Sequence, residues 1–144
     1  PFNTVLRVAP VVTLNRNALT AQVNVPRINT DIDLLNIQRL PFFRIIVAIG
    51  TVSDLSFEEV GNDYAPLVPE LHGVSATFTS EWYSSQTIVP EQVISVALPQ
   101  EDAAQLTEHV TVLVSMAVEF GNVGFTGQPQ EVKYAGCGKV LKVG

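Results

Sequence analysis

The sequence predicts an all-β fold: an antiparallel β-sandwich of the immunoglobulin-like or jelly-roll type, with roughly seven to nine strands and one or two short helical turns. Three observations predict it. Apolar residues recur with period 2, β-branched residues fill the longest apolar runs, and turn-forming residues are fairly evenly spaced with no βαβ alternation. The chain has 144 residues, and we expect a single domain over 1–144 because neither half would bury a good core alone.

The clearest amphipathic strand is "GVSATFTSEWYSS", which begins at Gly73. Strict alternation places Trp82 on its apolar face and Tyr83 on its wet face. The apolar face comprises Val74, Ala76, Phe78, Ser80 and Trp82. The segment "ALTAQVNV" alternates in the same way, and the preceding Asn15-Arg16-Asn17 predicts a hairpin turn because Asn tolerates left-handed backbone.

Two longer segments, 41–52 and 109–120, are apolar at nearly every position and predict central strands. Short helical turns are expected within 27–40, capped by Asn29 or Thr30, and within 98–109. The segments 58–73 and 121–130 are rich in glycine, proline or acidic residues and predict long loops.

Composition excludes several partners. The net charge is −6, and the eight Lys and Arg residues are scattered, whereas a nucleic acid or an anionic membrane needs a concentrated basic face. No apolar run reaches the roughly 18 residues of a membrane-spanning helix. The chain begins Pro1-Phe2 without Met, so we expect a C-terminal part of a longer precursor. An extracellular or cell-surface location is favoured.

No catalytic, cofactor or metal constellation is visible, so the sequence predicts a protein that is not an enzyme. His109 and Glu119 share a strand face but would lie about 33 Å apart. The acidic residues between 54 and 63 match no EF-hand and predict solvated loops. The single cysteine, Cys137, is expected to be a small packed residue.

Cys137 lies between Gly136 and Gly138. Glycines weaken a strand unless something packs closely over them. We therefore expect an aromatic side chain, Phe120 or Trp82, to lie across this gap.

Two functional hypotheses follow. The first is a non-catalytic structural protein that self-associates into a filament or surface array through sheet edges and its N-terminal strand, "FNTVLRVAPVVTL", with Phe2, Val5 and Leu6 as anchors. Its partners would be other copies of the chain. The alternative is a carbohydrate- or ligand-binding sandwich in which Tyr64 and Tyr83 contact a glycan.

The stretches "HVTVLVSMAVEFGN" and "VKYAGCGKVLKV" resemble the C-terminal end of uncharacterised proteins from Bacteroidota, in which a valine-rich strand precedes a closing strand of small residues. "PFNTVLRVAPVVTLNRNALTAQVNVP" and "FFRIIVAIGTVSDLSFE" are similar to earlier parts of the same proteins. The resemblance implies a C-terminal β domain without its basic, partly helical N-terminal region. It implies no activity and no catalytic residue.

Overall fold

Two antiparallel sheets enclose the core in the computed structural model, which describes residues 2–144. Strands account for 52% of the chain and helices for 11%, which confirms the predicted all-β sandwich. The strand segments are β1 (Val11–Asn15), β2 (Thr20–Val25), β3 (Ile28–Asn29), β4 (Phe42–Ser53), β5 (Leu55–Glu58), β6 (Asp63–Pro66), β7 (Val74–Thr79), β8 (Tyr83–Ser84), β9 (Ile88–Val89), β10 (Gln92–Ala97), β11 (Val110–Val123), β12 (Pro129–Glu131) and β13 (Cys137–Val143). The helical segments are α1 (Phe2–Val5), α2 (Thr30–Asp33) and α3 (Gln100–Ala104), with a 3-10 turn at Pro69–Leu71.

The smaller sheet has the order β1-β2-β10. Its β1–β2 hairpin forms where the sequence predicts it, but Leu19 adopts the left-handed conformation (φ 51°) in the turn. Asn15 instead uses its side-chain oxygen to accept a hydrogen bond from the Ala18 amide, at 3.3 Å. The asparagine therefore supports the turn through its side chain.

The larger sheet is built on β4 and β11, which pair from Phe42↔Gly121 to Ser53↔Val110. β7 and β8 follow one another along the free edge of β4, while β12 and β13 share the free edge of β11. Both β4 and β11 are central strands, as the sequence predicts, and their alternate residues are fully buried. They pack against the smaller sheet and form the main core.

The edge formed by β7 and β8 contains one extra residue, and this reverses two aromatic side chains. Val47 pairs with Phe78, but Phe43 pairs with Tyr83, one residue later than a continuous ladder would give. A slip of one residue exchanges the two faces of a strand. Tyr83 therefore faces the core and Trp82 faces outward, so the predicted assignment of these two residues is wrong.

The segment 58–73 is more ordered than a loop. β5 and β6 form a hairpin that continues from the end of β4. It is followed by the 3-10 turn, where Leu71 packs with Val68 and Val110 in a second, small core. The two predicted helical turns form as α2, capped by the Asn29 side chain, and as α3.

The N-terminal residues are helical where an exposed strand was predicted. α1 spans Phe2–Val5, and the first strand begins only at Val11. Phe2 and Leu6 are 4% and 1% exposed and belong to the protein's own core, with Val5 packed against it. The prediction that these three residues form an exposed strand for a neighbouring copy is wrong, because their side chains are already buried here.

The main core draws residues from most of the chain, from Phe2 to Phe120. Within residues 2–144, none of the helices has the length and apolar character needed to cross a membrane.

Candidate functional site

The two tyrosines predicted to contact a ligand lie at opposite ends of β4. Tyr83 is half-buried beside Phe43, with ring centroids 5.4 Å apart, and its hydroxyl lies 3.2 Å from Gln92 Nε2. Tyr64 is 65% exposed on the β5–β6 hairpin and meets Phe57 edge-on at 5.3 Å. The structure does not bring them together into one ligand site.

Cys137 packs against the main core as a partly buried small residue. Burial raises the pKa of its thiol, which disfavours the nucleophilic thiolate. It pairs with Val118, while His109 precedes the opposite end of β11. Cys137 and His109 are therefore about 30 Å apart along the strand. At that distance they cannot act as a catalytic pair.

The glycines around Cys137 have a role that differs from the predicted one. A Cβ at Gly136 would collide with the carbonyl oxygen of Val118, and one at Gly138 would stand 3.3 Å from Ala117 Cβ. The neighbour that needs the space is thus the β11 strand itself. The prediction of an aromatic across this gap is wrong, because the Trp82 ring lies against Gly121, only 2.8 Å from where a Cβ would stand.

The side of the larger sheet that points away from the core is the most distinctive surface, and we call it the outer face. The strand pairing places outward-facing residues of the two central strands side by side. These are Ile46, Ala48, Gly50 and Val52 of β4 and Leu113, Ser115 and Ala117 of β11. β13 adds Val140 and Val143, and β7 adds Ser75, Thr77 and Thr79. No charged residue stands among these positions of the described chain, so this part of the face is uncharged and largely apolar.

The outward side of the smaller sheet is different. Its strands present mainly hydroxyl and amide side chains there: Thr13, Asn15, Thr20, Gln22, Asn24 and Ser95. These groups hydrogen-bond readily with water. The contrast between the two sheets singles out the outer face as the surface that water solvates poorly.

One end of the outer face is bounded by a charged cluster around Arg44. Its Nε lies 2.7 Å from Glu119 Oε1, and one of its terminal nitrogens lies 3.9 Å from Glu131 Oε2. The guanidinium also stacks over Trp82 at 4.2 Å from the ring centroid. A charged, partly hydrated rim next to an apolar centre is the usual layout of a protein interface.

The two carboxyls of this cluster have opposite pKa shifts. Burial alone would raise the pKa of Glu119, but hydrogen bonds with Glu131 and Arg44 and the charge of Arg44 outweigh burial and lower it. The pKa of Glu131 is raised, first by its hydrogen bond to Glu119 and then by burial and by the negative charge of Glu119. Glu131 therefore keeps its proton to a higher pH than an isolated glutamate does, and Glu119 loses its proton at a lower pH.

The opposite end of the sheet is strongly acidic. Segments 54–73 and 99–109 contain eight acidic residues and no Lys or Arg: Asp54, Glu58, Glu59, Asp63, Glu70, Glu101, Asp102 and Glu108. The rest of the chain has six acidic and eight basic residues, a net charge of +2. The Asp54 amide donates to the His109 carbonyl at 2.7 Å, which places the two segments side by side.

The comparisons with known proteins assign no family: no family model and no curated protein matches the chain. The resemblance to Bacteroidota proteins therefore stays a prediction.

The sequence indicated apolar central strands and an acidic loop, but it predicted neither the residues of the outer face nor the pairing of the two acidic segments. The outer face could have been recognised in the sequence, since β4 and β11 lack charged residues on both faces over several positions. The acidic end could not, because its two segments come together only where Ser53 pairs with Val110.

Proposed function

We propose that the protein is a non-catalytic assembly module that associates with other copies of itself through the outer face of the larger sheet. The observation that carries the proposal is the uncharged, largely apolar composition of this face, from Ile46 to Val52 on β4 and from Leu113 to Ala117 on β11. Apolar surface that water solvates poorly favours association.

The uncharged part of the face supplies about half of a standard interface. From Ile46 to Val52, β4 spans about 23 Å at about 3.3 Å per residue. Four strands side by side give a width of about 19 Å. The uncharged area is therefore about 440 Å², against roughly 800 Å² per partner in a standard protein interface. The charged rim around Arg44 would contribute to the rest of the contact.

The composition of the face suits packing on its own copy. In a two-fold dimer the same patch meets itself, with residue i on residue j and residue j on residue i, so a face of a single charge sign would repel itself. The outer face combines short and long side chains. The positions with short or no side chains are Ala48, Gly50, Ala117 and Gly138, and longer side chains project at Leu113 and Val140. Two sheets can then approach to the roughly 10 Å spacing of stacked sheets.

A matched pair of variants tests the proposal. Ala117→Lys places a cation at the centre of the outer face, and Ala97→Lys places the same residue on the outward side of β10 in the smaller sheet. At a salt concentration near 0.5 M, we expect wild type and Ala97→Lys to sediment as dimers. Ala117→Lys should be at least tenfold weaker in dimerisation because a buried unpaired charge is costly.

Circular dichroism and thermal melting of both variants show that the fold is retained. A wild-type chain that stays monomeric at millimolar concentration would refute the proposal. Equal dimerisation of the two variants would place the contact elsewhere.

A further inference from the structure

A groove lies at the open edge of the sandwich, where β13 of the larger sheet approaches β1 of the smaller one. It has a volume of about 430 Å³. Its floor is apolar, with Leu6, Val8 and Leu141, and its rim is cationic. The cations are Arg7, Lys139 and Lys142, all three exposed, and no Asp or Glu lines the groove in the described chain. We call it the basic groove.

The three cations lack carboxylate partners within residues 2–144. Arg7 donates to the carbonyl oxygen of Ile32 at 3.2 Å, and Lys139 Nζ donates to Asn3 Oδ1 at 3.2 Å. The ion pairs of the described chain involve other residues. The chain as a whole is acidic, with a net charge of −6. The groove, with its three cations, therefore differs in sign from the protein's overall charge.

The β5–β6 hairpin has the complementary character. Its tip carries Val60, which is fully exposed, next to Glu58, Glu59 and Asp63. Phe57 and Tyr64 stack behind the tip and are also more than half exposed. An apolar tip bordered by three carboxylates matches an apolar floor bordered by three cations. We call this element the acidic hairpin.

We propose that the basic groove receives the acidic hairpin of a second copy of this chain. Val60 would enter the apolar floor between Val8 and Leu141, and the carboxylates beside it would meet Arg7, Lys139 and Lys142. This contact deepens the proposed function, since it adds a second, head-to-tail interface to the face-to-face one. It uses neither Ala117 nor any other residue of the outer face.

The two kinds of contact generate different assemblies. A face-to-face contact pairs the same surface on both copies and stops at the dimer. A hairpin-to-groove contact leaves one free hairpin and one free groove on every added copy, so it extends into rings or filaments. Because it rests on charge, it weakens as the screening length falls from about 10 Å at 0.1 M salt to about 3 Å at 1 M.

Charge exchange tests this contact. The first variant reverses the groove (Lys139→Glu with Lys142→Glu), the second reverses the hairpin (Glu58→Lys with Glu59→Lys), and a third contains all four substitutions. Sedimentation velocity at low salt gives the mass distribution of each variant, of the wild type and of an equimolar mixture of the first two. Circular dichroism reports their fold.

We expect the wild type to exceed twice its chain mass of 15.6 kDa and to shrink as salt is added. The groove and hairpin variants should each stop at the dimer, since hairpin and groove then repel. Their mixture and the four-substitution variant should recover the large species, because opposite charges face each other again. If reversal unfolds the chain, Lys139→Gln with Lys142→Gln should lower the mass without reversing charge.

The proposal is overturned if the wild type never exceeds the dimer, if the reversed variants assemble like the wild type, or if mixing restores nothing. Failure of the outer-face contact gives a separate signature: the reversed variants would then be monomers, while the wild type and the mixture would still form large species.

Discussion

Ser80 and Ile45 exchange two hydrogen bonds at the edge of the larger sheet. The Ser80 amide donates to the Ile45 carbonyl oxygen at 2.8 Å, and the Ile45 amide donates to Ser80 Oγ at 2.8 Å. The hydroxyl thus replaces a backbone acceptor where the strand contains its extra residue. Because the extra residue is accommodated in this way, Tyr83 packs against the core and Trp82 points outward. The Trp82 ring covers Gly121 and stacks with Arg44.

Ser80→Ala removes the acceptor of the buried Ile45 amide. We expect a loss of about 1–3 kcal/mol in the free energy of unfolding, the usual cost of leaving a buried donor unpaired. Ser95→Ala, on the exposed side of β10, is the matched control and should change stability by less than about 0.5 kcal/mol. Urea unfolding of both variants measures the difference, and equal stabilities would contradict the role assigned to Ser80.

Gly136→Ala places a methyl group against the Val118 carbonyl, so β13 must shift away from β11. We expect a cost of about 1–3 kcal/mol, as for other overpacked sites. Gly61→Ala is the control, since nothing lies within 4 Å of a Cβ at that position. Thermal unfolding compares the two. A neutral Gly136→Ala would show that the close approach of the two strands is not required.

Glu131→Gln is expected to change how stability depends on pH. The pKa of Glu131 is raised from 4.5 in the folded state, so its stabilising contribution is present below about pH 4.5 and declines as the pH rises through the folded-state pKa. Glu119 has a lowered pKa, so its contribution is present above pH 4.5 and is lost on acidification. A glutamine at position 131 can still donate a hydrogen bond to Glu119, but it has no carboxyl group that gains or loses a proton.

The variant should therefore gain stability relative to wild type between pH 4 and pH 7, by at most about 0.5 kcal/mol because the pair is partly solvated. Thermal melts across this pH range provide the measurement. Glu91→Gln, an exposed residue outside the cluster, serves as control and should run parallel to wild type. A constant offset of Glu131→Gln from wild type would contradict the raised pKa of Glu131.

The sequence predicted the long strands well and the interrupted segments poorly. Burial alternates over all 12 residues of β4 and over the first 11 residues of β11, so the long apolar runs correctly predicted two unbroken central strands. At Ser80 the same rule failed, because the replacement of a backbone acceptor by a hydroxyl leaves no trace in the polarity pattern.

The N-terminal error had a visible signal. Phe2, Val5 and Leu6 follow the spacing i, i+3, i+4 of one helix face, and Pro10 separates them from β1. The acidic end and the basic groove could not be predicted from the sequence, because each combines segments that only the strand pairing brings together.

The central claim, that copies associate through the outer face, is tested most directly by methyl NMR of the unmodified protein during a concentration series. A salt concentration near 0.5 M suppresses the charge-based contact. We predict concentration-dependent shifts for the methyl groups of Ile46, Leu113, Val140 and Val143 on the outer face. Val11 and Val93, which are 64% and 57% exposed on the smaller sheet, should stay unchanged. Constant signals for the first group up to millimolar concentration, or shifts confined to Val11 and Val93, would contradict the claim.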